Sequence, residues 1–443
     1  MPKRERAGKS VGERQRSGVV AGTGIVDVAG IGFGPSNLAL AAAIAEIAGE
    51  APVSARFFEA QPRFGWHRGM LIEGATMQVS YLKDLVTMRN PTSPYSFLCY
   101  LQARGRLADF INTKSPYPLR VEFHDYLEWV AESFTDLVSY GARVVSVEPV
   151  SAEQGVEFLD VHFVAPDGTR QVQRARNLVI AAGIEPRLPA GLPASPRIWH
   201  TAKFLPEVDR IARQDPRSFV VLGSGQSAAE AVEHLHARFP RAQVHSVHAR
   251  YGFSVADDSP FANQVFNPEA VDRFHTAPDD VRQRLIDYHA STNYSVVDAD
   301  LLHSLFQQAY LEKVAGNPRL NFHNVSRVSE VTETPDGLRI DVESLSSGTS
   351  TVIEAQALVC ATGYTRTDPA VFLDGLLPHC PLDDQGRLRL DREHRVVTDE
   401  SVRCGIYVQG FGEHSHGLSE TLLSLSAVRA GEIGDMLVKA LSG

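Results

Sequence analysis

The pattern of apolar and polar positions predicts a strand, a turn, a helix and a second strand near the start of the chain. Residues 25–31 form a short, mostly apolar run, which is typical of a buried strand. A turn containing glycine follows, and the alanine-rich stretch 38–47 then predicts a helix. The next apolar run, 55–59, predicts the second strand. This order is the unit on which many nucleotide-binding domains are built.

The same order recurs in the middle of the chain. Residues 218–222 predict a strand, 223–227 a turn, 228–238 a helix and 243–249 the next strand. Because a long stretch of chain separates the two units, they predict two separate nucleotide-binding units. The expected fold class is therefore α/β, with two Rossmann-like dinucleotide-binding domains.

The remaining elements suggest where these domains begin and end. Residues 346–350 predict a hairpin turn, 355–360 a strand and 418–441 a C-terminal helix. We predict a discontinuous first domain of residues 25–204 and 350–443, interrupted by a second domain of residues 205–349. Residues 1–24 are rich in Lys, Arg, Gly and Ser and have no apolar periodic face, so they predict a disordered tail.

Composition narrows the class of protein without changing this organisation. The 443 residues are 43% hydrophobic and 22% charged, which is ordinary for a globular protein with room for two or three domains. A net charge of −10 argues against a nucleic-acid partner, and no apolar run is long enough to span a bilayer. Four scattered cysteines without a Cys-x-x-Cys pair favour a reducing compartment, expected to be the cytoplasm, and argue against a disulfide framework or a metal site.

The first glycine turn predicts an FAD site. Gly32-x-Gly34-x-x-Asn37 follows the predicted strand and opens the helix, with Asn37 in place of a third glycine. The first glycine permits a tight turn, the second lets the backbone approach a pyrophosphate, and the positive end of the helix dipole faces the phosphates. Glu59 ends the next strand, 27 residues after Gly32, where a carboxylate accepts hydrogen bonds from the ribose hydroxyls of an adenosine.

The second glycine turn predicts an NADPH site. Gly223-x-Gly225-x-x-Ala228 has the same layout, and Ser227 ends the turn. The same offset of 27 residues leads from Gly223 to Arg250 instead of a carboxylate. A carboxylate there would repel the 2′-phosphate of NADPH, whereas a guanidinium would bind it. The alternative is that Arg250 is an ordinary surface arginine.

Two dinucleotide sites on one chain predict that electrons pass from NADPH to FAD and then to an acceptor. A disulfide reductase would need a redox-active cysteine pair, which the sequence lacks. Oxygen is the obvious remaining acceptor, since reduced flavin and oxygen give a C4a-hydroperoxide that transfers one oxygen atom to an amine or a sulfide. The cofactor carries this chemistry while the protein positions the substrate and excludes water. We therefore predict no catalytic acid or base among the side chains.

Five segments carry a more specific pattern than the glycine turns. They are Trp66-His67, Met77-Gln78-Val79-Ser80-Tyr81-Leu82-Lys83-Asp84-Leu85 with Arg89-Asn90-Pro91-Thr92-Ser93-Pro94, Asp257-Asp258-Ser259-Pro260-Phe261 with Asn263 and Phe266-Asn267-Pro268, Thr292-Asn293-Tyr294-Ser295-Val296-Val297-Asp298, and His416-Gly417-Leu418-Ser419 with Thr421-Leu422-Leu423-Ser424. From about residue 25 to its C-terminus the chain resembles the N-hydroxylating amino-acid monooxygenases of siderophore biosynthesis. Within them it most resembles the L-ornithine N5-monooxygenases, because the related lysine hydroxylases usually differ in the fourth segment.

The resemblance implies a substrate site. Lys83 matches a lysine that pairs with the substrate α-carboxylate, and Asn263 matches an asparagine that contacts the backbone atoms of the amino acid. Asn293 matches a residue that touches both the substrate and the nicotinamide ribose, where an amide suits because it donates and accepts at once. Ser424 matches a residue near the substrate end of the flavin. These residues imply a small helical substrate-binding region with segments near 83–105 and 263–312.

The flavin side of the site and the reaction are also implied by the resemblance. Trp66, His67 and Gln78 match residues that face the flavin. The implied reaction converts L-ornithine, NADPH and O₂ into N5-hydroxy-L-ornithine, NADP⁺ and water, for the synthesis of hydroxamate siderophores or related natural products. The family also implies a homo-oligomer, expected to be a tetramer, with no membrane partner.

Three other functions remain open at this point. Lysine N6-hydroxylation differs by one methylene, which a pocket discriminates by only ~1–3 kcal/mol. A flavin monooxygenase that oxidises sulfides or ketones is the second. The third is a non-catalytic flavoprotein that senses redox state or binds a partner.

Overall fold

Strands occur along most of the chain in the computed structural model, which describes residues 19–21, 24–49, 52–153 and 155–442. The strands are β1 (Val19–Ala21), β2 (Val26–Ile31), β3 (Val53–Glu59), β4 (Val138–Tyr140), β5 (Arg143–Ala152), β6 (Gly155–Val164), β7 (Arg170–Ile180), β8 (Ile184–Pro186), β9 (Ile198–His200), β10 (Ser218–Leu222), β11 (Gln243–Val247), β12 (Leu320–His323), β13 (Ser326–Thr334), β14 (Gly337–Ser344), β15 (Ser350–Ala355), β16 (Ala357–Cys360), β17 (Tyr364–Arg366) and β18 (Gly405–Val408).

Helices are interspersed with these strands. The α-helices are α1 (Pro35–Ile47), α2 (Phe97–Ala103), α3 (Leu107–Thr113), α4 (Arg120–Glu132), α5 (Phe204–Ala212), α6 (Gln226–Arg238), α7 (Pro268–Thr276), α8 (Asp279–His289), α9 (Ala299–Val314), α10 (Glu413–His416) and α11 (Ser426–Ser442). The 3₁₀ helices are Arg68–Met70, Thr135–Leu137, Thr201–Lys203, Ala262–Phe266, Ala290–Thr292, Pro369–Phe372, Leu377–His379, Leu418–Thr421 and Leu423–Leu425. Within the described part of the chain, no helix combines the length and the apolar character that crossing a membrane would require.

The first sheet carries the first glycine turn. Its strand order is β1-β3-β2-β7-β6-β5, with β4 beside β3 and β18 beside β7. The strands β3, β2, β7 and β18 run parallel, whereas β5, β6 and β7 form an antiparallel meander. Helix α1 is almost entirely buried because it lies against α11 as well as the sheet core. Its many alanines suit this position, since small side chains let neighbouring layers approach closely.

The second sheet carries the second glycine turn and is parallel throughout. Its order is β12-β11-β10-β16-β9. Strands β9 and β16 fall outside the predicted range 205–349, so this sheet draws strands from both sides of the predicted domain. The antiparallel sheet β13-β14-β15 packs near it, and β14 and β15 are joined by the hairpin turn that the sequence predicts.

One short strand lies inside the segment predicted as a disordered tail. Strand β1 pairs in parallel with residues 53–55 of β3, before the predicted start of order at Ile25. A sheet edge offers backbone donors and acceptors to an extended segment, and valines favour strand geometry. The rest of the predicted tail, residues 1–18 and 22–23, lies outside the described residues.

The C-terminal helix is shorter than predicted. It begins at Ser426 instead of residue 418, because Leu422 adopts extended backbone angles of φ −109° and ψ 162°. Residues on either side of Leu422 form two short 3₁₀ helices instead. Ser424 therefore lies in a tight turn before α11.

Candidate active site

The first glycine turn leaves open space at the N-terminus of α1. Gly32 has a φ of +79°, and a Cβ atom added there would lie 2.4 Å from the carbonyl oxygen of Ala181. A Cβ atom on Gly34 would meet nothing within 4 Å. Gly34 is the N-cap of α1 and has no side chain that could accept hydrogen bonds from the first N–H groups of the helix. Pro35 follows as the first residue of the helix. This arrangement fits a pyrophosphate bound to backbone N–H groups at the helix N-terminus.

Glu59 holds this turn from the end of β3. Its Oε2 accepts a hydrogen bond from the backbone N–H of Phe33 at 2.8 Å, and its Oε1 accepts one from the backbone N–H of Gln61 at 2.8 Å. A carboxylate offers about four acceptor positions, so lone pairs remain for ribose hydroxyls. Glu59 thus lies beside the turn as predicted, and it also stabilises the turn itself.

The Asn37 side chain stabilises the first glycine turn through hydrogen bonds to its backbone. It is fully buried, and its Nδ2 donates to the carbonyl oxygens of Ile31 at 3.2 Å and Gly32 at 2.7 Å. Its Oδ1 accepts a hydrogen bond from Nε2 of Gln409 at 3.0 Å. Because its amide is satisfied by protein atoms, we place Asn37 as a support of the glycine turn, with no direct contact to a cofactor.

The second glycine turn repeats the geometry of the first. Gly223 has a φ of +143°, and a Cβ atom on it would lie 2.3 Å from the carbonyl oxygen of Ala361. Gly225 caps α6 without a side-chain hydrogen bond, and Ser227 lies in the first turn of this helix. Neither α1 nor α6 has an acidic residue in its first turn, so no carboxylate there opposes an anion at the helix N-terminus.

Arg250 lies beside the second glycine turn, just beyond the end of β11. It is exposed, and its Nη1 donates to the carbonyl oxygen of Ser295 at 3.3 Å. Ser295 in turn adjoins Gly225, since a Cβ atom on Gly225 would lie 3.4 Å from the Cα of Ser295. No ion pair between described residues engages this guanidinium. It is therefore available to bind a phosphate near the turn.

Trp66 and His67 belong to a row of aromatic rings that continues through Tyr364 to His200, at the end of β9 in the second sheet. Their ring centroids are 4.4 Å apart, and Tyr364 lies 6.5 Å from His67 and 4.8 Å from His200. The His67 side chain is exposed, yet desolvation by nearby protein atoms and the charge of Arg120 lower the pKa of its imidazole to about 4. The ring is therefore neutral near pH 7. An indole and a neutral imidazole are surfaces against which a flat isoalloxazine ring packs well.

Lys83 lies against the segment that carries Asn263. Its Nζ is 5.6 Å from the ring centroid of Phe266, which belongs to the same 3₁₀ helix as Asn263. Partial burial lowers the pKa of the Lys83 ammonium. No carboxylate of the described residues forms an ion pair with Lys83. A half-buried ammonium of this kind is suited to the carboxylate of a substrate.

Asn263 and Ser424 come from segments that pack together. Asn263 donates from Nδ2 to the carbonyl oxygen of Asp258 at 2.7 Å. Its 3₁₀ helix packs against the 3₁₀ helix Leu418–Thr421, which directly precedes the turn containing Ser424. Ser424 is only 7% exposed. The structure therefore brings Lys83, Asn263 and the C-terminal segment into one region.

Asn293 is fixed in place through its neighbour Tyr294. The Tyr294 hydroxyl donates to Oε2 of Glu413 at 2.8 Å and accepts from Nη2 of Arg366 at 3.1 Å, and Arg366 also pairs with Glu413. Asn293 itself ends the 3₁₀ helix Ala290–Thr292 and is half-buried. These contacts fasten the loop that carries Asn293 to the C-terminal part of the chain.

Gln78 is linked to the second glycine turn, a connection that the sequence did not predict. Its Nε2 donates to Oδ1 of Asp298 at 3.2 Å, and Oδ2 of Asp298 accepts from Nε2 of Gln226, the first residue of α6, at 3.0 Å. Asp298 ends the fourth segment and Gln226 lies within the second glycine turn motif, but only their hydrogen bonds in the structure reveal that they connect Gln78 to this turn.

A buried ion pair between α4 and α6 was also missed by sequence reasoning. Arg120 and Glu230 form two hydrogen bonds, of 2.6 Å and 2.8 Å, and their side chains are 10% and 7% exposed. Arg120 donates further to the carbonyl oxygen of Met70 at 2.9 Å. The only signal in the sequence is the charge of Glu230 between the apolar residues 228–229 and 231–232, which does not identify a partner 110 residues away.

The chain is similar to known proteins over most of its length. Residues 24–366 match the family model described as L-lysine 6-monooxygenase/L-ornithine 5-monooxygenase. The chain is 40% identical to the L-ornithine N(5)-monooxygenase of Burkholderia cepacia over 400 residues, which are 89% of this chain and 90% of that protein.

Solved structures of similar proteins cover nearly the whole chain. The ornithine N-hydroxylase of Kutzneria sp. 744, solved with reduced FAD, NADP⁺ and L-ornithine, has a TM-score of 0.90 and 42% identity and covers 94% of this chain and 99% of that chain. An L-lysine 6-monooxygenase from Pseudomonas syringae has a TM-score of 0.82 and 36% identity, and covers 94% of this chain and 100% of that chain.

Proposed function

The chain belongs to the L-lysine 6-monooxygenase/L-ornithine 5-monooxygenase family, and from this membership we propose that it hydroxylates the side-chain amine of L-ornithine. The reaction consumes L-ornithine, NADPH, a proton and O₂ and gives N5-hydroxy-L-ornithine, NADP⁺ and water. The observation that carries the proposal is the similarity to an ornithine N-hydroxylase over 94% of this chain at 42% identity.

Two cofactors fit the residues around the glycine turns. Gly32 and Gly34 would hold the pyrophosphate of FAD, with Glu59 on the ribose. Gly223 and Gly225 would hold the pyrophosphate of NADPH, with Arg250 on the 2′-phosphate. When bound and reduced, FAD supplies the activated oxygen. The chain itself binds, orients and shields the reactants.

The substrate site is built to hold an amino acid by its backbone groups. Lys83 binds the α-carboxylate through an ion pair in a half-buried environment. Asn263 and Asn293 orient the α-amino end and the nicotinamide ribose, and Ser424 lies near the reacting end of the side chain. With its backbone groups anchored, the length of the substrate side chain decides where the terminal amine lies.

We further propose the cellular setting of this activity. A hydroxylamine on the ornithine side chain becomes a hydroxamate once it is acylated, which suits a role in hydroxamate siderophores or related natural products. The proposed assembly is a homo-tetramer in the cytoplasm, and analytical ultracentrifugation of the purified protein checks its mass.

The decisive experiment is an incubation of the purified, FAD-loaded protein with NADPH and either L-ornithine, L-lysine or no amino acid. We expect a hydroxylamine product with L-ornithine, measured by mass spectrometry. If no amino acid stimulates NADPH consumption and no hydroxylamine forms, the proposed hydroxylation is refuted and a non-catalytic flavoprotein is favoured. Parallel incubations contain a sulfide or a ketone instead of an amino acid. Oxidation of either compound, without hydroxylation of ornithine or lysine, would assign the protein to another class of flavin monooxygenase.

Replacing Arg250 with alanine should weaken NADPH selectively. Losing a charge-assisted hydrogen bond to the 2′-phosphate costs ~1.5–3 kcal/mol, so the KM for NADPH should rise by about 10- to 10²-fold. The KM for NADH should stay nearly unchanged because NADH lacks this phosphate. Steady-state kinetics with both nucleotides measure the difference. Arg213→Ala, at an exposed arginine just after α5, is the control. Equal increases in the KM values for NADPH and NADH would show that Arg250 does not recognise the phosphate.

L-lysine hydroxylation is the second candidate, favoured by the similar L-lysine 6-monooxygenase structure. If L-ornithine is the substrate, lysine should bind through the same backbone contacts while its longer side chain misplaces the amine. A displacement of about 1 Å can cost ~10²-fold in rate. Lysine should therefore stimulate NADPH oxidation and release of hydrogen peroxide more than hydroxylated product. The ratio of product formed to NADPH consumed, measured with each amino acid, checks this. Tight coupling with lysine and poor coupling with ornithine would make this chain a lysine hydroxylase.

A further inference from the structure

A chain of hydrogen bonds runs from the Arg120–Glu230 ion pair to the second glycine turn. Oε1 of Glu230 accepts a hydrogen bond from Nε2 of Gln226 at 3.0 Å. Gln226 directly follows Gly225, and its Oε1 accepts from the backbone N–H of Asp298 at 2.9 Å. The orientation of the Gln226 amide is thus determined at both ends, because its NH₂ group faces a carboxylate and its oxygen faces an N–H group.

Asp298 carries this connection on to Gln78. Its Oδ2 accepts from Gln226 at 3.0 Å and its Oδ1 accepts from Nε2 of Gln78 at 3.2 Å. An ionised carboxylate only accepts hydrogen bonds, so each glutamine must present its NH₂ group to Asp298. Gln226 would keep its orientation without Asp298 because Glu230 also holds it. Gln78 makes no other side-chain hydrogen bond within the described chain, so its orientation depends on Asp298 alone.

We infer that Asp298 is a positioning residue that makes the Gln78 amide oxygen the free acceptor of the site. Gln78 is exposed, and with Nε2 turned toward Asp298 its oxygen points away from that carboxylate and accepts no hydrogen bond from the described chain, so it is free to meet a bound cofactor. The ligand is an N–H donor, either the carboxamide of the nicotinamide or the isoalloxazine ring of FAD. This inference rests on the proposed binding of both cofactors. Through Asp298, it connects helix α6, proposed to bind NADPH, to the residue proposed to face the flavin.

Asp298→Asn tests the inference because it changes one acceptor into a donor at constant size. The amide oxygen of the variant side chain would still accept from Gln226, which cannot turn, and its NH₂ group would face Gln78. The Gln78 amide would then turn over and offer an NH₂ group where its oxygen stood. We expect about five- to tenfold weaker binding of one cofactor, together with slower reduction of FAD by NADPH, while the KM for L-ornithine changes less than about twofold.

Equilibrium titrations without any amino acid identify the affected cofactor. Calorimetry of the FAD-loaded protein gives the affinity for NADP⁺, and quenching of flavin fluorescence with the apoprotein gives the affinity for FAD. A loss for NADP⁺ alone assigns the donor to the carboxamide, and a loss for FAD assigns it to the ring. Unchanged affinities for both would overturn the inference. Because ornithine is absent, this result is independent of whether the wild-type protein makes N5-hydroxyornithine, which tests the proposed function.

Two further variants separate positioning from a general effect on the fold. Asp300→Asn removes the same charge from an exposed position of α9 and should change neither affinity. In a Gln78→Ala background, Asp298→Asn should have no additional effect, because the amide on which it acts is gone. If the losses of cofactor affinity caused by the two substitutions add in the double variant, Asp298 does not act through the Gln78 amide, and the inference would be wrong.

Discussion

Replacing Lys83 with alanine is expected to raise the KM for L-ornithine by about 30- to 5,000-fold, the largest effect of any substitution in the substrate site. Removing one partner of a desolvated ion pair costs ~2–5 kcal/mol, much of it the cost of leaving the other charge unpaired. Lys83 is half-buried against Phe266, so the substrate carboxylate would lose its partner where water screens poorly. Steady-state assays of hydroxylated product across a wide ornithine range measure the change.

The same variant should leave the hydride step almost intact. Reduction of FAD by NADPH does not require the amino-acid carboxylate, so its rate, followed by anaerobic stopped-flow absorbance, should stay close to that of the wild type. Lys439→Ala, at an exposed position near the end of α11, is the control for losing a lysine. Slow flavin reduction in Lys83→Ala would instead indicate that Lys83 contacts the nucleotide or stabilises the fold.

Replacing Arg120 with methionine should destabilise the fold more than any of the other substitutions. Methionine fills part of the space but leaves Glu230 buried without its partner, which costs ~3–5 kcal/mol. The carbonyl oxygen of Met70 would also lose its hydrogen bond. The urea concentration at the midpoint of unfolding should fall, as measured by circular dichroism and by flavin fluorescence.

A matched pair on the surface provides the control for this prediction. Arg238 also lies on α6 and pairs with Asp209 at 2.7 Å, but the two side chains are 37% and 64% exposed. Exposed pairs contribute ~0–1 kcal/mol, so Arg238→Met should shift the midpoint little. Arg120→Met combined with Glu230→Leu should recover part of the lost stability because no buried charge remains unpaired. Similar midpoints for Arg120→Met and Arg238→Met would contradict the assigned role of the buried pair.

The two nucleotide-binding units follow from the sequence because their signals are local. A glycine with positive φ, an adjoining apolar run and a helix start within a few residues determine each turn, as Gly32 and Gly223 show. The spacing from each glycine to the end of the next strand is also local, and it leads to Glu59 and Arg250, which form hydrogen bonds beside their turns in the structure. The family resemblance added Lys83, Asn263 and Asn293, which the two glycine turns alone do not indicate.

The extent of each sheet was not predictable in the same way. Strands β9 and β16 are only three and four residues long, and their place in the second sheet depends on pairing between distant segments. The strand β1 is likewise stable only because β3 offers an edge for it. Hydrophobic periodicity describes which face of a strand is buried and does not specify its neighbour.

What the sequence by itself determined is the fold class, the two glycine turns with the charge beside each, and the family. What only the tertiary structure decided is how these parts are joined. Asn37 stands where a glycine was expected, yet its amide holds the turn from beneath. Arg120 and Glu230 meet between two helices, and Asp298 orients Gln78 from a distant segment. The physical reason is that buried polar groups must find partners in space, and the chain brings those partners together only when it folds.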